Sequence, residues 1–161
     1  GEISKAFNSH IREEYSSAIV AIGDNKKRVA LISKLRQFSY ELPSIIHPSA
    51  VVSHSAKIGF SSVVFAQAVI QSNSRIGYGS IINTSSSIDH DACLSHGVHI
   101  SPGAHLGGNV TIGSCSWIGI GSCIKNGVFV GENVKVGAGA AVISNIQNEV
   151  TVTGVPAKVL Q

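Results

Sequence analysis

Residues 100–130 read ISPGAHLGGNVTIGSCSWIGIGSCIKNGVFV, with an aliphatic residue at every sixth position from Ile100 onward. The same spacing extends in both directions without an insertion and gives seventeen hexads in all. A small side chain, most often Ser, Ala or Val, stands two residues before each aliphatic one. The aliphatic residues are Ile46, Val52, Ile58, Val64, Ile70, Ile76, Ile82, Ile88, Leu94, Ile100, Leu106, Ile112, Ile118, Ile124, Val130, Val136 and Val142.

Six-residue self-similarity is typical of a parallel β-helix, in which each hexad forms one short strand and one corner. The aliphatic residue is expected to point into the core, and the small residue before it to fit the tight corner. Three hexads make one triangular coil, so residue n stacks on residue n+18. The seventeen hexads predict about five and a half coils and a prism about 27 Å long, at roughly 4.8 Å between stacked strands.

The composition argues against several classes of protein. Charged residues make up 13% of the chain and the net charge is +3, which is too small and too scattered for a nucleic-acid partner. No apolar run approaches the roughly 18 residues of a membrane span, and residues 1–10 lack the apolar region of a signal peptide. The three cysteines show no C-x-x-C spacing, which predicts free thiols and a cytoplasmic protein.

The segment before the repeat has a different pattern. Residues 17–22 read SAIVAI, which is mainly apolar and predicts a buried strand, and Gly23 to Asn25 predict a turn with a helix N-cap. Residues 26–38 carry apolar side chains at helical spacing, and residues 42–46 are again extended in character. The order strand, helix, strand predicts the back half of a small α/β unit.

We therefore expect two domains, a partial Rossmann-like segment at residues 1–45 and a β-helix with a C-terminal tail at residues 46–161. A complete unit of the first kind begins with a strand and a Gly-rich phosphate loop. Neither is present here, so the front of the unit is expected to be missing. Gly23 at the end of the apolar strand is by itself weak evidence for a nucleotide site.

The histidines are unevenly distributed, since four of the seven lie within sixteen residues. In the hexad register Ile88 points inward, which places His90 and Asp91 at a corner and facing outward. A histidine held by a carboxylate at one ring nitrogen is suited to act as a general base at the other. Either Asp89 or Asp91 could supply that carboxylate. The four histidines are His90, His96, His99 and His105.

Two other interpretations of these residues remain open at this point. Asp and His are common at corners, so the run has a purely structural explanation. A metal site would need the histidines to converge on one face. His90 and His96 are one hexad apart and therefore fall on successive faces, which disfavours a metal.

Residues 83–109, NTSSSIDHDACLSHGVHISPGAHLGGN, together with AIVAIGDNKKR at 18–28 and VTGVPAK at 152–158, resemble the hexapeptide-repeat sugar acyltransferases. The most similar branch contains the sialic-acid O-acetyltransferases and the nucleotide-aminosugar N-acetyltransferases of bacillosamine and perosamine synthesis. The resemblance implies a left-handed parallel β-helix, although most parallel crossovers are right-handed. Relatives begin with a Gly-rich turn of the form G-x-x-G-H-G, which is absent here.

The resemblance also implies roles for individual residues. His90 matches the general base, and Asp91 matches the acidic residue that raises the basicity of that histidine. His99 matches a histidine that contacts acetyl-CoA near the thioester, and Gly108 matches a glycine whose backbone lies near the thioester carbonyl. The remaining matches are Ile120, Gly137 and Ala138 along the pantetheine arm of acetyl-CoA, Gly23 at the nucleotide-sugar, and Asn83, which has no firm role.

The function implied is transfer of acetyl from acetyl-CoA to the amino group of a nucleotide-linked amino-deoxysugar, by direct attack and without a metal. The family works as a homotrimer with active sites between subunits. One alternative keeps acetyl-CoA and uses a sugar hydroxyl as acceptor, as in sialic-acid O-acetylation. Others are a non-catalytic solenoid that only binds partners and a metal-dependent hydratase.

Overall fold

The hexad residues form a parallel β-helix in the computed structural model, which describes residue 7 and residues 9–160. Each aliphatic residue of the repeat is the second residue of a two-residue strand. Those from Val64 onward are buried, whereas Ile46 is exposed because it lies at the open end of the first coil. The strands are β1 (Ile45–Ile46), β2 (Val51–Val52), β3 (Lys57–Ile58), β4 (Val63–Val64), β5 (Val69–Ile70), β6 (Arg75–Ile76), β7 (Ile81–Ile82), β8 (Ser87–Ile88), β9 (Cys93–Leu94), β10 (His99–Ile100), β11 (His105–Leu106), β12 (Thr111–Ile112), β13 (Trp117–Ile118), β14 (Cys123–Ile124), β15 (Phe129–Val130), β16 (Lys135–Val136), β17 (Ala141–Val142), β18 (Thr151–Thr153) and β19 (Lys158–Val159).

The strands stack into three sheets that form the faces of a triangular prism. Face A has the order β1-β4-β7-β10-β13-β16-β18-β19, face B has β17-β14-β11-β8-β5-β2, and face C has β15-β12-β9-β6-β3. Pairing is parallel between residues n and n+18 through β1–β17, as in His99 with Trp117 and Lys57 with Arg75. The prediction of a left-handed parallel β-helix agrees with this architecture. The chain turns from face A to B, from B to C and from C to A at three corners, named A–B, B–C and C–A below.

The front segment contains two helices, α1 (Ser9–Glu14) and α2 (Asn25–Gln37). The predicted helix at residues 26–38 is confirmed as α2 with its bounds moved by one residue. Asp24 is the N-cap, since its side-chain Oδ1 accepts a hydrogen bond from the backbone N–H of Lys27 over 2.8 Å. The cap satisfies one of the amide groups that the first turn leaves unpaired.

The strand predicted at residues 17–22 is wrong as a sheet strand. Its only ladder contact among the described residues is a single parallel bridge between Ser17 and Glu41. Val20 is buried against α2, whereas Ile19 is 42% exposed, so the segment alternates like a strand that lacks a neighbour. A β ladder needs a partner of several residues, and Glu41 alone supplies one bridge.

Helix α2 packs directly on the C–A corner of the prism. Gly79 and Gly97 stand there one coil apart, both with positive φ. A Cβ on Gly79 would lie 2.6 Å from Cδ1 of Ile32, and one on Gly97 would lie 2.5 Å from Cγ2 of Val29. Ser61 and Cys115 have positive φ in the same column, so the backbone conformation alone does not demand glycine; the absence of a Cβ lets the side chains of Ile32 and Val29 pack directly on the corner. None of the described helices is long and apolar enough to cross a membrane.

Candidate active site

His90 and Asp91 form a hydrogen-bonded pair at the B–C corner, directly after strand β8. The Nδ1 of His90 lies 2.8 Å from Oδ2 of Asp91. The two side chains are 49% and 45% exposed, so the pair is open to solvent. Asp91 has a positive φ of 57°, which turns its carboxylate back toward the preceding residue. With its carboxylate accepting from Nδ1–H, the Nε2 of His90 is left as a free proton acceptor.

The structure decides which aspartate holds the ring. Asp91 binds the imidazole, while Asp89 accepts a hydrogen bond from the backbone N–H of His90 over 2.8 Å. Asn73, one coil earlier, donates from Nδ2 to Oδ1 of Asp91 over 3.2 Å and so orients that carboxylate. The hydrogen bond that His90 donates to Asp91, followed by the charge of Asp89, raises the pKa of His90. The same bond from His90, followed by that from Asn73, lowers the pKa of Asp91.

Gly108 lies one coil after His90 and directly beneath its ring. A Cβ on Gly108 would stand 2.7 Å from both Nε2 and Cε1 of His90, closer than real carbon contacts allow. The backbone N–H of Asn109 also donates to the carbonyl of His90 over 2.9 Å. The structure therefore brings His90, Asp91 and Gly108 together, with the free Nε2 over the Gly108 backbone.

His99 belongs to a second group, on face A. Its ring stacks on Trp117, with 5.7 Å between ring centroids and 7° between planes. Asn83 accepts from the backbone N–H of Thr84 through Oδ1, and its Nδ2 lies 3.3 Å from Nε2 of His99. An amide held in this way donates to Nε2, so the neutral ring carries its proton on Nδ1. Asn83, which the sequence left without a role, thus orients His99.

The His99 ring is poorly solvated. Burial, followed by the nearby positive charge of Arg28, lowers the pKa of His99 to about 4. The ring is therefore neutral near pH 7, since a histidine is charged only below its pKa. It lines a cavity of about 740 Å³ together with Gly23, Trp117 and the lysines 26, 27 and 135. The predicted residues His99 and Gly23 thus share one cavity.

Arg28 is a residue that the sequence interpretation missed. It is 1% exposed, and its guanidinium donates to the carbonyl oxygens of Gly79 and Gly97 on the prism. It also donates to the carbonyls of Ile22 and Gly23 and to Oδ1 of Asn25. Through these hydrogen bonds the guanidinium connects the Gly23 side of the cavity to two coils of the prism. The sequence did contain one indication that Arg28 is buried. It stands at helical spacing from Ile32 and Leu35, on the side of α2 that packs inward.

Ile120, Gly137 and Ala138 occupy a third place, at the end of face A and at the A–B corner. Ile120 is 61% exposed, and its carbonyl accepts from the N–H of Gly139, one coil later. A Cβ on Gly137 would lie 2.8 Å from Oγ1 of Thr153, so the backbone is tightly packed there. Ile120 and Ala138 stack eighteen residues apart and present one edge of the prism.

One chain does not bring all the predicted residues together. His90 and His99 are nine residues apart, which is half a coil. The B–C corner that carries His90 is opposite face A, which carries His99 and Asn83. Within a single prism the candidate base and Gly108 therefore lie on the side opposite to His99, and the other predicted cofactor contacts lie on face A or at the A–B corner.

The histidines that are close in sequence are also separated in space. His96 lies at the C–A corner, where it stacks on Tyr78 with 5.0 Å between ring centroids. His105 lies on face B, with Nδ1 2.8 Å from Oγ of Ser87. Over residues 7 and 9–160, no group of three or more His, Cys, Asp or Glu side chains is placed to hold a metal ion.

Comparisons with known proteins give close matches among solved structures. The chain is 46% identical to the acetyltransferase domain of PglB from Neisseria gonorrhoeae FA1090 in complex with acetyl coenzyme A, over 89% of this chain and 70% of that one, with a TM-score of 0.89. It is 39% identical to PerB from Caulobacter crescentus in complex with CoA and GDP-perosamine, over 94% and 74%, with a TM-score of 0.93. WeeI from Acinetobacter baumannii AYE matches at 28% identity, over 91% and 72%, with a TM-score of 0.87.

No family model and no curated protein sequence matches the chain. The identity to the first two structures, and the share of each that is covered, nevertheless show the family. The match in fold runs through the front segment as well as the prism, because it covers 94% of this chain in PerB. The chain belongs to the hexapeptide-repeat sugar N-acetyltransferases.

Proposed function

We propose that the protein transfers acetyl from acetyl-CoA to the amino group of a nucleotide-linked amino-deoxysugar, with His90 as the general base. The observation that carries this proposal is the geometry of the B–C corner. His90 has one nitrogen fixed by Asp91 and the other free, directly over the Gly108 backbone. PglB solved with acetyl coenzyme A and PerB solved with CoA and GDP-perosamine support both substrates.

The reaction needs one base and no covalent intermediate, because the thioester is already activated. The acceptor amine attacks the acetyl carbonyl carbon while Nε2 of His90 takes the amine proton. The new C–N bond forms, the C–S bond breaks, and the CoA thiolate leaves and is protonated from solvent or from His90. The N–H groups of Gly107 and Asn109 donate to carbonyls of neighbouring coils, so the N–H of Gly108 itself is the backbone donor proposed to stabilise the developing oxyanion.

The active form is inferred to be a homotrimer with its sites between subunits. The half-coil separation of His90 from His99 supports this, because one prism presents them on opposite sides. A neighbouring subunit that applies its face A to the B–C corner would bring His99, Asn83 and the Ile120 edge to His90. The neutral His99 ring, oriented by Asn83, is suited to contact the acetyl-CoA thioester.

The front segment is proposed as a partial Rossmann-like domain, residues 1–45, that contributes to the acceptor site. Gly23 lines the His99 cavity together with Lys26 and Lys27, and the two lysines would favour the phosphates of a nucleotide-sugar. The free thiols Cys93, Cys115 and Cys123 support a site of action in the cytoplasm.

The experiment that tests the function follows free thiol release from acetyl-CoA. The full chain is mixed with a panel of nucleotide-linked 4-amino sugars and, separately, with sialic acid. Thiol release with an amino sugar, and an N-acetylated product by mass spectrometry, would support the proposal. Release with sialic acid alone would replace it by O-acetylation, and no release with any acceptor would reject acetyl transfer to these sugars.

A further inference from the structure

The outward side chains of face A form a column along the prism, and two neighbouring members of this column are aromatic. His99 and Trp117 are register partners in β10 and β13, and their rings are stacked almost in parallel. Ile81 precedes the two rings in the column and Lys135 follows them. The stacked pair forms one wall of the cavity of about 740 Å³. The indole of Trp117 is 47% exposed, so it covers His99 while its own outer surface stays open.

Each ring is also held at its edge by a polar side chain of the preceding coil. Nδ2 of Asn83, after β7, lies 3.3 Å from Nε2 of His99. In the same relation one coil later, Nε1–H of Trp117 donates to Oγ of Ser101, after β10, over 2.6 Å. Both pairs are sixteen residues apart, and Ser101 is 2% exposed. The buried hydroxyl therefore fixes the indole in the plane that covers His99.

This arrangement is confined to one part of face A. The equivalent positions after β4 and β13 are Phe65 and Gly119, whose side chains offer no hydrogen bond. Along the described part of face A, only β10 and β13 carry a ring that is both stacked and hydrogen-bonded at its edge. The arrangement thus coincides with His99, the histidine that the proposed function places at the thioester.

Trp117 covers one side of a ring that lies among charged groups. Arg28 is close enough to lower the pKa of His99 by its positive charge, although burial has the larger effect. Removal of the indole would admit water to the imidazole and weaken the effect of burial. The charged residues that line the cavity are Asp24, whose Oδ1 caps α2, and Lys26, Lys27 and Lys135.

We propose that Trp117 is a positioning residue of the active site, which holds the His99 ring against the acetyl-CoA thioester while Ser101 fixes the indole. The inference rests on the proposed function and adds to it the residue that orients the histidine. A ring that is stacked on one side and hydrogen-bonded at its edge keeps one orientation, so its contact with the thioester is formed in advance. Trp117 takes no part in proton transfer, because its Nε1–H is engaged by Ser101.

The kinetic test compares Trp117→Ala, Trp117→Phe and Ser101→Ala with the wild-type full chain. The substrates are acetyl-CoA and the nucleotide-linked amino sugar that the wild type acetylates. Trp117→Ala should lower kcat/KM for acetyl-CoA about 3- to 10-fold, as for the loss of one aromatic pair. Trp117→Phe keeps a stacked ring and Ser101→Ala keeps both rings, so each should lose about half of that factor or less. Phe129→Ala is the matched control, because Phe129 is an outward aromatic residue of 46% exposure on face C.

A double-mutant cycle shows whether Trp117 acts through His99. In a His99→Ala background, Trp117→Ala should cause no further loss of kcat/KM for acetyl-CoA. An equal loss in both backgrounds overturns the inference, and so does wild-type kcat/KM in Trp117→Ala. A change confined to the KM for the acceptor also overturns it, since Trp117 would then be a direct contact of the amino sugar.

Nuclear magnetic resonance of the histidine Cε1–H groups gives a readout that does not depend on catalysis. In the wild type the resonance of His99, assigned with His99→Gln, should not titrate between about pH 8 and about pH 5.5, because its pKa is about 4. In Trp117→Ala the pKa should rise toward its ordinary value of about 6.5 and bring the titration into this range. Phe129→Ala should behave as the wild type.

Equal titration of His99 in the wild type and in Trp117→Ala overturns the inference. A titration that changes as expected, in a protein that transfers no acetyl to any amino sugar, would reject the proposed function while the hold of Trp117 on the His99 ring stands. Acetyl transfer that is unchanged in Trp117→Ala would leave the proposed function intact and reject the role of Trp117.

Discussion

The imidazole of His90 occupies the space in which a Cβ on Gly108 would stand, 2.7 Å from Nε2. The two residues are eighteen positions apart and are stacked by the coil repeat. A glycine at 108 is therefore what allows the candidate base to lie flat over the next coil. This relationship links the backbone of the fold directly to the position of the reactive nitrogen.

Gly108→Ala is expected to lower kcat about 10- to 100-fold while the protein remains folded. The added methyl displaces the half-exposed His90 ring, and an error of about 1 Å in the position of a catalytic group costs that order of rate. The measurements are thiol-release kinetics and thermal unfolding. The double variant Gly108→Ala with His90→Ala should be no slower than His90→Ala alone, and a further loss would give Gly108 a role independent of the ring.

His90→Ala is expected to lower kcat/KM for the acceptor by about 10²- to 10⁴-fold, the usual contribution of a positioned general base. The side chain is exposed, so the fold should be kept, which circular dichroism and the unfolding temperature would verify. His105→Ala is the control, because His105 is exposed on face B and bonds only to Ser87 among the described residues. Near-normal activity of His90→Ala would refute the assignment of the base.

Asp91→Asn is expected to reduce the rate less than loss of His90 and to move the pH profile. His90 acts as a base only when deprotonated, so kcat/KM should rise with pH through its pKa. The hydrogen bond that His90 donates to the Asp91 carboxylate raises that pKa. Its removal should shift the rising limb to lower pH and lower the plateau, since a weaker base accepts the proton less readily. If the rising part of the kcat/KM–pH profile does not move in Asp91→Asn, Asp91 does not set the pKa of His90.

The repeat made the prism and its corners predictable, because side chains at a period of six report directly on which positions face the core. The corner position of His90 and Asp91 followed from the same register. What failed was the strand at 17–22, where pairing depends on a neighbour that the local pattern does not reveal. Arg28 was missed because its partners are backbone carbonyl oxygens, two of them on distant coils. Every residue has such a carbonyl, so the sequence does not show which ones accept a hydrogen bond.

His99 is expected to make the stability of the protein depend on pH. In the unfolded chain it binds a proton below its ordinary pKa of about 6.5, whereas in the folded chain it does so only below about 4. The free energy of unfolding therefore decreases by up to about 3 kcal/mol as the pH falls from about 6.5 to 4. The free energy of unfolding can be measured by chemical denaturation at pH 7 and at pH 4.5. Its decrease between the two pH values should be smaller for His99→Gln than for the wild type. An equal difference would mean that the ring is better solvated than its stacking on Trp117 indicates.

Arg28→Met is expected to lower the free energy of unfolding by at least about 3 kcal/mol. The change leaves the carbonyl oxygens of Gly79 and Gly97 without a donor in buried positions, and each unsatisfied buried group costs about 1–3 kcal/mol. The carbonyls of Ile22 and Gly23 also lose their donor but are only partly buried and add less. Arg36→Met is the matched control, since Arg36 is exposed on the same helix and lies over the ring of Phe60. Denaturant unfolding should separate the two variants clearly.

The same variant tests how the front segment is joined to the prism. The Arg28 guanidinium donates hydrogen bonds both to Gly23 in the cavity wall and to Gly79 and Gly97 on two coils. Its loss should therefore allow α2 to separate from the prism before the coils unfold. Hydrogen exchange should then become faster in Asn25–Gln37 while the amides of the central coils stay protected. Arg28→Lys keeps the charge but not the planar fork and should recover only part of the protection. Uniformly faster exchange in prism and helix alike would show that the Arg28 hydrogen bonds stabilise the whole fold as one unit.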